Sequence, residues 1–423
     1  RPAHMALHSP STRCVAMDLQ QRTAFSPMEP SPASCPGWLA SHLQQAGGVV
    51  SFRRFMDLAL NDPENGYYGS GHGRIGIRGD YVTSPSLGPD FAALLADQLA
   101  LWLREFPSDG LLSLVEGGPG EGEMAADLIA SLATLIPDRL QQMELVLVEL
   151  NDAMRERQRQ RLAEVRDLPI RWSSLQELRE SPVCGVVLAH ELLDALPVDR
   201  LTWRNGSLQQ QGVALNDSGT LELVLLPLSS SLSDEIEAIS GHAGVDLPPD
   251  GSPEGWTSEW HSAQFSWLQT MRSGLQEGLL LVIDYAMEAR RYYSNRRTDG
   301  TLLCISNQQA HGDPLSMVGR QDLTAHLCLE TMHAAADAAD WRLLADGRQG
   351  EILLGLGLAQ RLHGLQMLPP DRLSEGLRRR EAMLRLVDPA GLGEFRWLLY
   401  SAGLDPGRFS FSVPQGSAES PLG

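Results

Sequence analysis

From Leu111 to Glu116 the chain runs apolar into an acid, four glycines follow between positions 117 and 122, and a helical repeat of Met124, Leu128 and Leu132 begins at once. That pattern predicts a strand, a tight loop and a helix. A second apolar run, Glu144-Leu-Val-Leu-Val-Glu149, again ends in a carboxylate, and a helix rich in Arg and Gln is expected from Asp152 to Val165. Leu168 to Trp172 reads as a short third strand ending at Ser173-Ser174. Val183 to Ala189 reads as a buried strand running into His190-Glu-Leu-Leu-Asp-Ala-Leu-Pro197, and Gly278 to Asp284 resumes the sheet. Strands alternating with helices predict an α/β fold with a mostly parallel sheet, whose ligands sit at the carboxyl ends of the strands. Glu116, Glu149, Ser174 and His190-Glu191 all fall at such ends.

Around these elements the chain divides by pattern. Residues 1–36, rich in Ser, Pro and Arg without periodicity, are expected to be a mobile arm. Residues 37–103 hold two helical patterns (Trp38-Leu39…Leu43 and Phe52…Leu60), the glycine-dense stretch Asn65-Gly-Tyr-Tyr-Gly69 to Pro85, and a helix from about Pro89 to Leu103. Tyr67 and Tyr68 there read equally as part of a lid or as packed core anchors. The core would occupy 104–197 and 278–368. Between them, 198–277 changes to antiparallel hairpins with turns at Asn205-Gly206 and Asn216-Asp-Ser-Gly219, then a Pro/Gly/Asp loop and an amphipathic helix carrying Trp256, Trp260, Phe265, Trp267 and Leu268. A C-terminal helical segment and a polar tail are expected over 369–423.

Composition narrows the partners. The formal net charge of −19 would repel phosphate backbones and anionic lipid surfaces, so a basic protein or peptide fits better than a nucleic acid. Every basic residue counted in Lys+Arg is arginine, which carries no functional reading. The five cysteines are scattered without a C-x-x-C pair and read as reduced thiols in a cytoplasmic setting, with organellar import as the alternative. No apolar run approaches the roughly 20 residues a membrane helix needs. His311, His326 and the cysteines show no ligand spacing, so no metal is expected.

The glycine loop carries the first chemistry. Gly118, Gly120 and Gly122 let a ligand approach the backbone at a helix start, while Glu116 can pair with a cation. The spacing is G-x-G-x-G, not the G-x-G-x-x-G of dinucleotide sites. Glu149 stands where a following strand's acid grips ribose hydroxyls. Together the two acids favour a nucleoside carrying positive charge over an ordinary strand and turn.

Gly66-Tyr-Tyr68, Gly79-Asp-Tyr-Val-Thr-Ser-Pro85, Glu116 to Gly122, Val148-Glu149 with Arg155 and Gln158, His190 to Pro197, Ile283-Asp-Tyr285, Gly300-Thr-Leu302 and Asp322-Leu-Thr-Ala-His326 occur in the order found in the MidA family. The chain resembles that family from about residue 37 to 368, differing at Gly117, Glu121 and Ala286. The resemblance implies a Rossmann-like seven-stranded methyltransferase core, S-adenosyl-L-methionine as cofactor, and protein arginine as substrate, with a respiratory-complex-type subunit as the kind of partner. On that reading Glu116 meets the methionyl ammonium and Ser174 the adenine. Tyr67 and Tyr68, with Thr83 and Ser84, close over the cofactor. His190 either contacts it or satisfies the backbone. Glu191 and Asp194 are the expected catalytic pair, orienting a guanidinium; the alternative is that Asp194 caps a turn and Glu191 is a solvated acid. A non-catalytic assembly factor keeping the same fold is the competing function. The oligomeric state is open, a homodimer included.

Overall fold

The computed structural model describes residues 35–71, 73, 83–107, 110–307 and 309–412. The arm expected over 1–36, apart from its last two residues, lies outside these, as do most of the stretch from His72 to Val82 and the tail from Gly416.

Seven strands form the central sheet: β1 (Leu112–Gly117), β2 (Met143–Val148), β3 (Ile170–Ser173), β4 (Val183–His190), β5 (Leu275–Asp284), β6 (Arg342–Arg348) and β7 (Arg396–Ala402). Their order is β6-β7-β5-β4-β1-β2-β3. β3, β2, β1, β4 and β5 run parallel, and β7 is antiparallel to both β5 and β6. Helix α1 (Glu123–Leu135) follows β1, and helix α2 (Asp152–Arg161) follows β2.

Side chains alternate between two cores, which is why these strands read as unbroken apolar runs. Leu114, Leu145, Leu147, Val186, Leu188, Leu279 and Leu281 face one cluster. Val115, Val146, Val148, Val187, Ala189, Leu280 and Val282 face the other. The chain winds outward from β1 to β3, then returns to place β4 on the opposite side of β1. That reversal opens a crevice at the carboxyl ends of β1 and β4, the usual ligand position in a doubly wound sheet.

The stretch from 198 onwards forms the expected hairpins: Asp199–Arg204, Ser207–Leu215 and Leu221–Leu226 pair antiparallel. Val49–Ser51, from the N-terminal part, pairs with Ser207–Leu215 and so joins the same sheet.

Three local expectations differ from the structure. Trp256 and Trp260 are not on a helix: Thr257–Trp260 is a strand paired with Asp199–Arg204, and the helix begins at Ser262. The four-residue spacing of the tryptophans imitates a helical face, but the strand pairing overrides it. Residues Ser230–Ala243 form a helix capped by Ser229, whose side chain accepts from the Leu232 N–H, where no helix was expected. Finally, the segment from 369 supplies β7 as well as a helix over Leu373–Leu386. Among the described residues no helix is long and apolar enough to cross a membrane.

Candidate functional site

β1 ends in a carboxylate that has nowhere to go. Glu116 is buried and its Oε2 has no hydrogen-bond partner among the described residues. Burial pushes its carboxyl up to about 8, so near neutrality it is largely protonated. The chain then turns through Gly118 (φ 63°), Gly120 (φ 53°) and Gly122 (φ 82°), left-handed conformations that favour glycine. A Cβ on Gly118 would stand 2.7 Å from Leu192 Cδ1. A cavity opens there, lined by Glu116, Gly118, Gly120, Thr83, His190 and Glu191 among others. Six of the residues singled out in the sequence therefore share one wall.

Glu149 sits beside this cavity rather than in its lining. Its Oε1 accepts from Asn151 N at 2.8 Å and its Oε2 from Gln158 Nε2 at 3.3 Å. Burial raises its pKa against these hydrogen bonds. Gly122 starts α1 outside the lining.

Two of the expected cofactor residues have other partners in the structure. The Ser174 hydroxyl accepts from Glu177 N at 3.1 Å while Ser174 N donates to Glu177 Oε2 at 2.7 Å, a reciprocal cap for the helix Leu175–Glu180. Ser174 is thereby committed to a helix start and lies outside the cavity lining. Tyr67 is buried in the apolar cluster of the N-terminal helices, with its ring 3.0 Å from a Cβ placed on Gly73, so it behaves as the packed anchor rather than as a cover. Tyr68 is partly buried and its hydroxyl donates to Asp322 Oδ1 at 2.8 Å. The Asn151 side-chain amide donates to the Tyr68 and Gly69 carbonyls, tying this segment to the end of β2.

At the end of β4, Glu191 holds a left-handed backbone (φ 47°), uncommon for a residue with a Cβ and of the kind found at working sites. Its Oε1 accepts from Ser84 N at 3.3 Å, which gives Ser84 a place as an anchor. Its side chain is 10% exposed, so it is not the solvated acid of the alternative reading. His190 Nε2 lies 3.5 Å from Glu191 Oε1, but burial pulls the imidazole down to about 3; it is neutral, and the contact is not an ion pair.

Asp194 is the middle residue of the short turn Leu193–Ala195, for which no N-cap side chain provides a hydrogen bond. Instead it belongs to a group of acids. Asp284 Oδ2 accepts from Leu193 N at 2.9 Å and from Asp194 N at 3.2 Å, and the Asp194 carbonyl accepts from Ala325 N at 2.9 Å, bringing in the strand Asp322–Thr324. Burial pushes the Glu191 and Asp194 carboxyls well up, and like charges add to it: Asp194 and Asp322 on Glu191, Asp284 and Asp322 on Asp194. Asp284 rises to about 7 through burial and then Glu191. Four acids thus converge, with Tyr285 packed between Phe395 and His326 at their edge. Sequence reasoning gave Asp322 no role, because nothing in local spacing links it to Asp194. Among the described residues no His, Cys, Asp or Glu group is arranged to hold a metal ion.

The raised Glu116 pKa has a stability consequence. A carboxyl whose folded pKa lies above its unfolded value contributes stability that is fully present below the unfolded pKa, near 4.5, and lost as pH rises through about 8. Glu116→Gln is expected to lose less stability than the parent between pH 5 and pH 8, as read by denaturant unfolding at both values. Equal pH dependence in the two proteins would show that Glu116 is ionised throughout.

Comparison with known proteins agrees with this geometry. A family model described as "Putative S-adenosyl-L-methionine-dependent methyltransferase" matches residues 94–345. The Drosophila melanogaster mitochondrial protein arginine methyltransferase NDUFAF7 homolog is 26% identical over 385 residues, covering 84% of this chain and 82% of that protein. The human mitochondrial protein arginine methyltransferase NDUFAF7 is 25% identical over 402 residues, covering 87% and 84%. Among solved structures, a Burkholderia thailandensis protein with bound S-adenosyl-homocysteine superposes with a TM-score of 0.74 at 30% identity, over 87% of this chain and 92% of its own.

Proposed function

The chain belongs to the family of S-adenosylmethionine-dependent methyltransferases whose model it matches over 94–345, and on that premise we propose that its methyl acceptor is an arginine of a protein partner. The observation that carries the proposal is the convergence of Glu191, Asp194, Asp284 and Asp322 beside the cofactor cavity. A guanidinium offers several N–H donors in a fork whose geometry matches closely spaced carboxylates. The relatives named above as protein arginine methyltransferases support the same acceptor, and the net charge of −19 suits a basic partner.

The residues present fit the cofactor. The orphaned Glu116 Oε2 calls for a donor, and the methionyl ammonium supplies one. Gly118 and Gly120 bring backbone to the cavity wall, and Glu149 would take the ribose diol. When bound, the cofactor supplies a methyl already activated by its sulfonium. What the protein adds is alignment and the exclusion of water. Paired with the guanidinium, Glu191 and Asp194 would give up their own protons to solvent and orient it, and one of the two carboxylates would then take the proton the methylated group releases. Neutral His190 and Thr83 would wall the cofactor side. Since the relatives are mitochondrial by name, an organellar setting is the one we favour over the cytoplasm.

Incubation with methyl-labelled S-adenosylmethionine and a cell extract, followed by peptide mass spectrometry, is expected to place label on arginine. Label on another residue type overturns the acceptor, and absence of label with cofactor binding intact favours an assembly factor without catalysis. In addition, binding of the ammonium should ionise Glu116, so calorimetry at pH 7 in buffers of differing ionisation enthalpy should show release of about one proton. Glu116→Gln should release none.

A further inference from the structure

Gln158 is the buried residue of α2, a helix otherwise made of polar and charged positions. Every polar atom of its side chain is in use. The amide nitrogen donates to the Gly120 carbonyl at 2.7 Å and to Glu149 Oε2 at 3.3 Å, and the amide oxygen accepts from Trp172 Nε1 at 2.8 Å. The partners fix the orientation of the amide, because an indole only donates while a carbonyl and a carboxylate only accept. The glycine loop lies against this side chain, since a Cβ on Gly122 would stand 3.6 Å from Gln158 Cγ. A packing role alone would be served better by Leu or Met, which bury no polar group.

We infer that Gln158 is a positioning residue: it fixes the spacing between the glycine loop and Glu149, and so sets the preference for ribose over 2′-deoxyribose in the cofactor. The inference rests on the reading of Glu149 as the ribose ligand. Glu149 Oε1 is already held by Asn151 N at 2.8 Å. Gln158 is the side chain that donates to Oε2 while tying it to the loop, with the Leu150 N–H and the Arg155 charge acting on the same carboxylate; without the Gln158 donors the carboxylate shifts about its backbone contacts, and the loop loses its register with it.

Calorimetry with S-adenosylhomocysteine and with its 2′-deoxy analogue tests this on the full chain. The unsubstituted protein is expected to prefer the ribose form by about tenfold, the worth of one hydrogen bond to a charged group. Gln158→Leu should weaken S-adenosylhomocysteine by about tenfold and bring the preference to within about twofold. Gln158→Met, which fills the same length without any donor to Gly120 or Glu149, should do the same, so the result does not depend on the leucine variant folding. Preference retained in both Gln158 variants but lost in Glu149→Gln overturns the inference and leaves the ribose reading standing. Preference retained in Glu149→Gln overturns both, and no binding to the unsubstituted protein overturns the cofactor site itself.

Discussion

Gly118→Val is expected to weaken S-adenosylhomocysteine binding by about a hundredfold or more, the largest loss any single substitution in the cofactor cavity should give. Two costs act together. The backbone at this position has φ 63°, which a β-branched residue adopts only under strain. The first side-chain carbon would also stand 2.7 Å from Leu192 Cδ1, closer than packed carbons tolerate. The Leu192 side chain can swing its end aside, so the backbone strain is the larger cost, and it falls on the loop that lines the cavity. Gly241→Ala, in the helix Ser230–Ala243 with open space around the added carbon, is the control and should leave binding unchanged. Titration calorimetry decides it: a change of less than about threefold for Gly118→Val would place the cofactor elsewhere.

Asp194→Asn and Glu191→Gln are expected to lower kcat by about 10²- to 10⁴-fold while leaving the dissociation constant for S-adenosylhomocysteine within about threefold. Each keeps the shape of its side chain and removes the charge a guanidinium would pair with. The same substitutions bear on stability in the opposite sense. Both carboxyls have folded pKa values well above their ordinary range, through burial first and neighbouring acids second. The stability they contribute is therefore present below about pH 4 and lost as pH rises through the folded values. An amide does not titrate, so Asp194→Asn should melt higher than the parent at pH 8, with a smaller difference at pH 4. A variant less stable at both values would make Asp194 a structural residue. Activity lost and stability gained by one change is the signature of a site held under electrostatic strain for its ligand.

The elements that sequence reasoning located are those whose information is local. β1, its glycine loop and α1 are contiguous from Leu112 to Leu135, and the chemistry of a strand end facing a helix start follows from that contiguity. Glu191 and Asp194 were visible for the same reason. What stayed hidden depends on partners far away in the chain. β7 reads as an apolar stretch among helical ones until β5 and β6 are seen on either side of it. Asp322 joins the acid group through a strand that the Ala325–Asp194 backbone bond holds beside the turn after β4. Tyr67 and Tyr68 keep their rings in edge contact, 5.0 Å apart, yet Tyr67 is sunk in the N-terminal core beside Gly73 while the Tyr68 hydroxyl reaches Asp322, a distant acceptor. Ser174 illustrates the converse: Glu177 three residues on makes a local capping box, and that local bond claims the hydroxyl.

The placement of β7 bears on biosynthesis. A nascent chain that has not yet released residue 402 from the ribosome has β5 with one edge open along residues 278–284, all of them buried in the finished protein, and β6 with no neighbour at all. Such an edge invites pairing with other chains. Chaperone engagement until that strand is made, and loss of the folded state on truncation before residue 402, follow from where that strand sits.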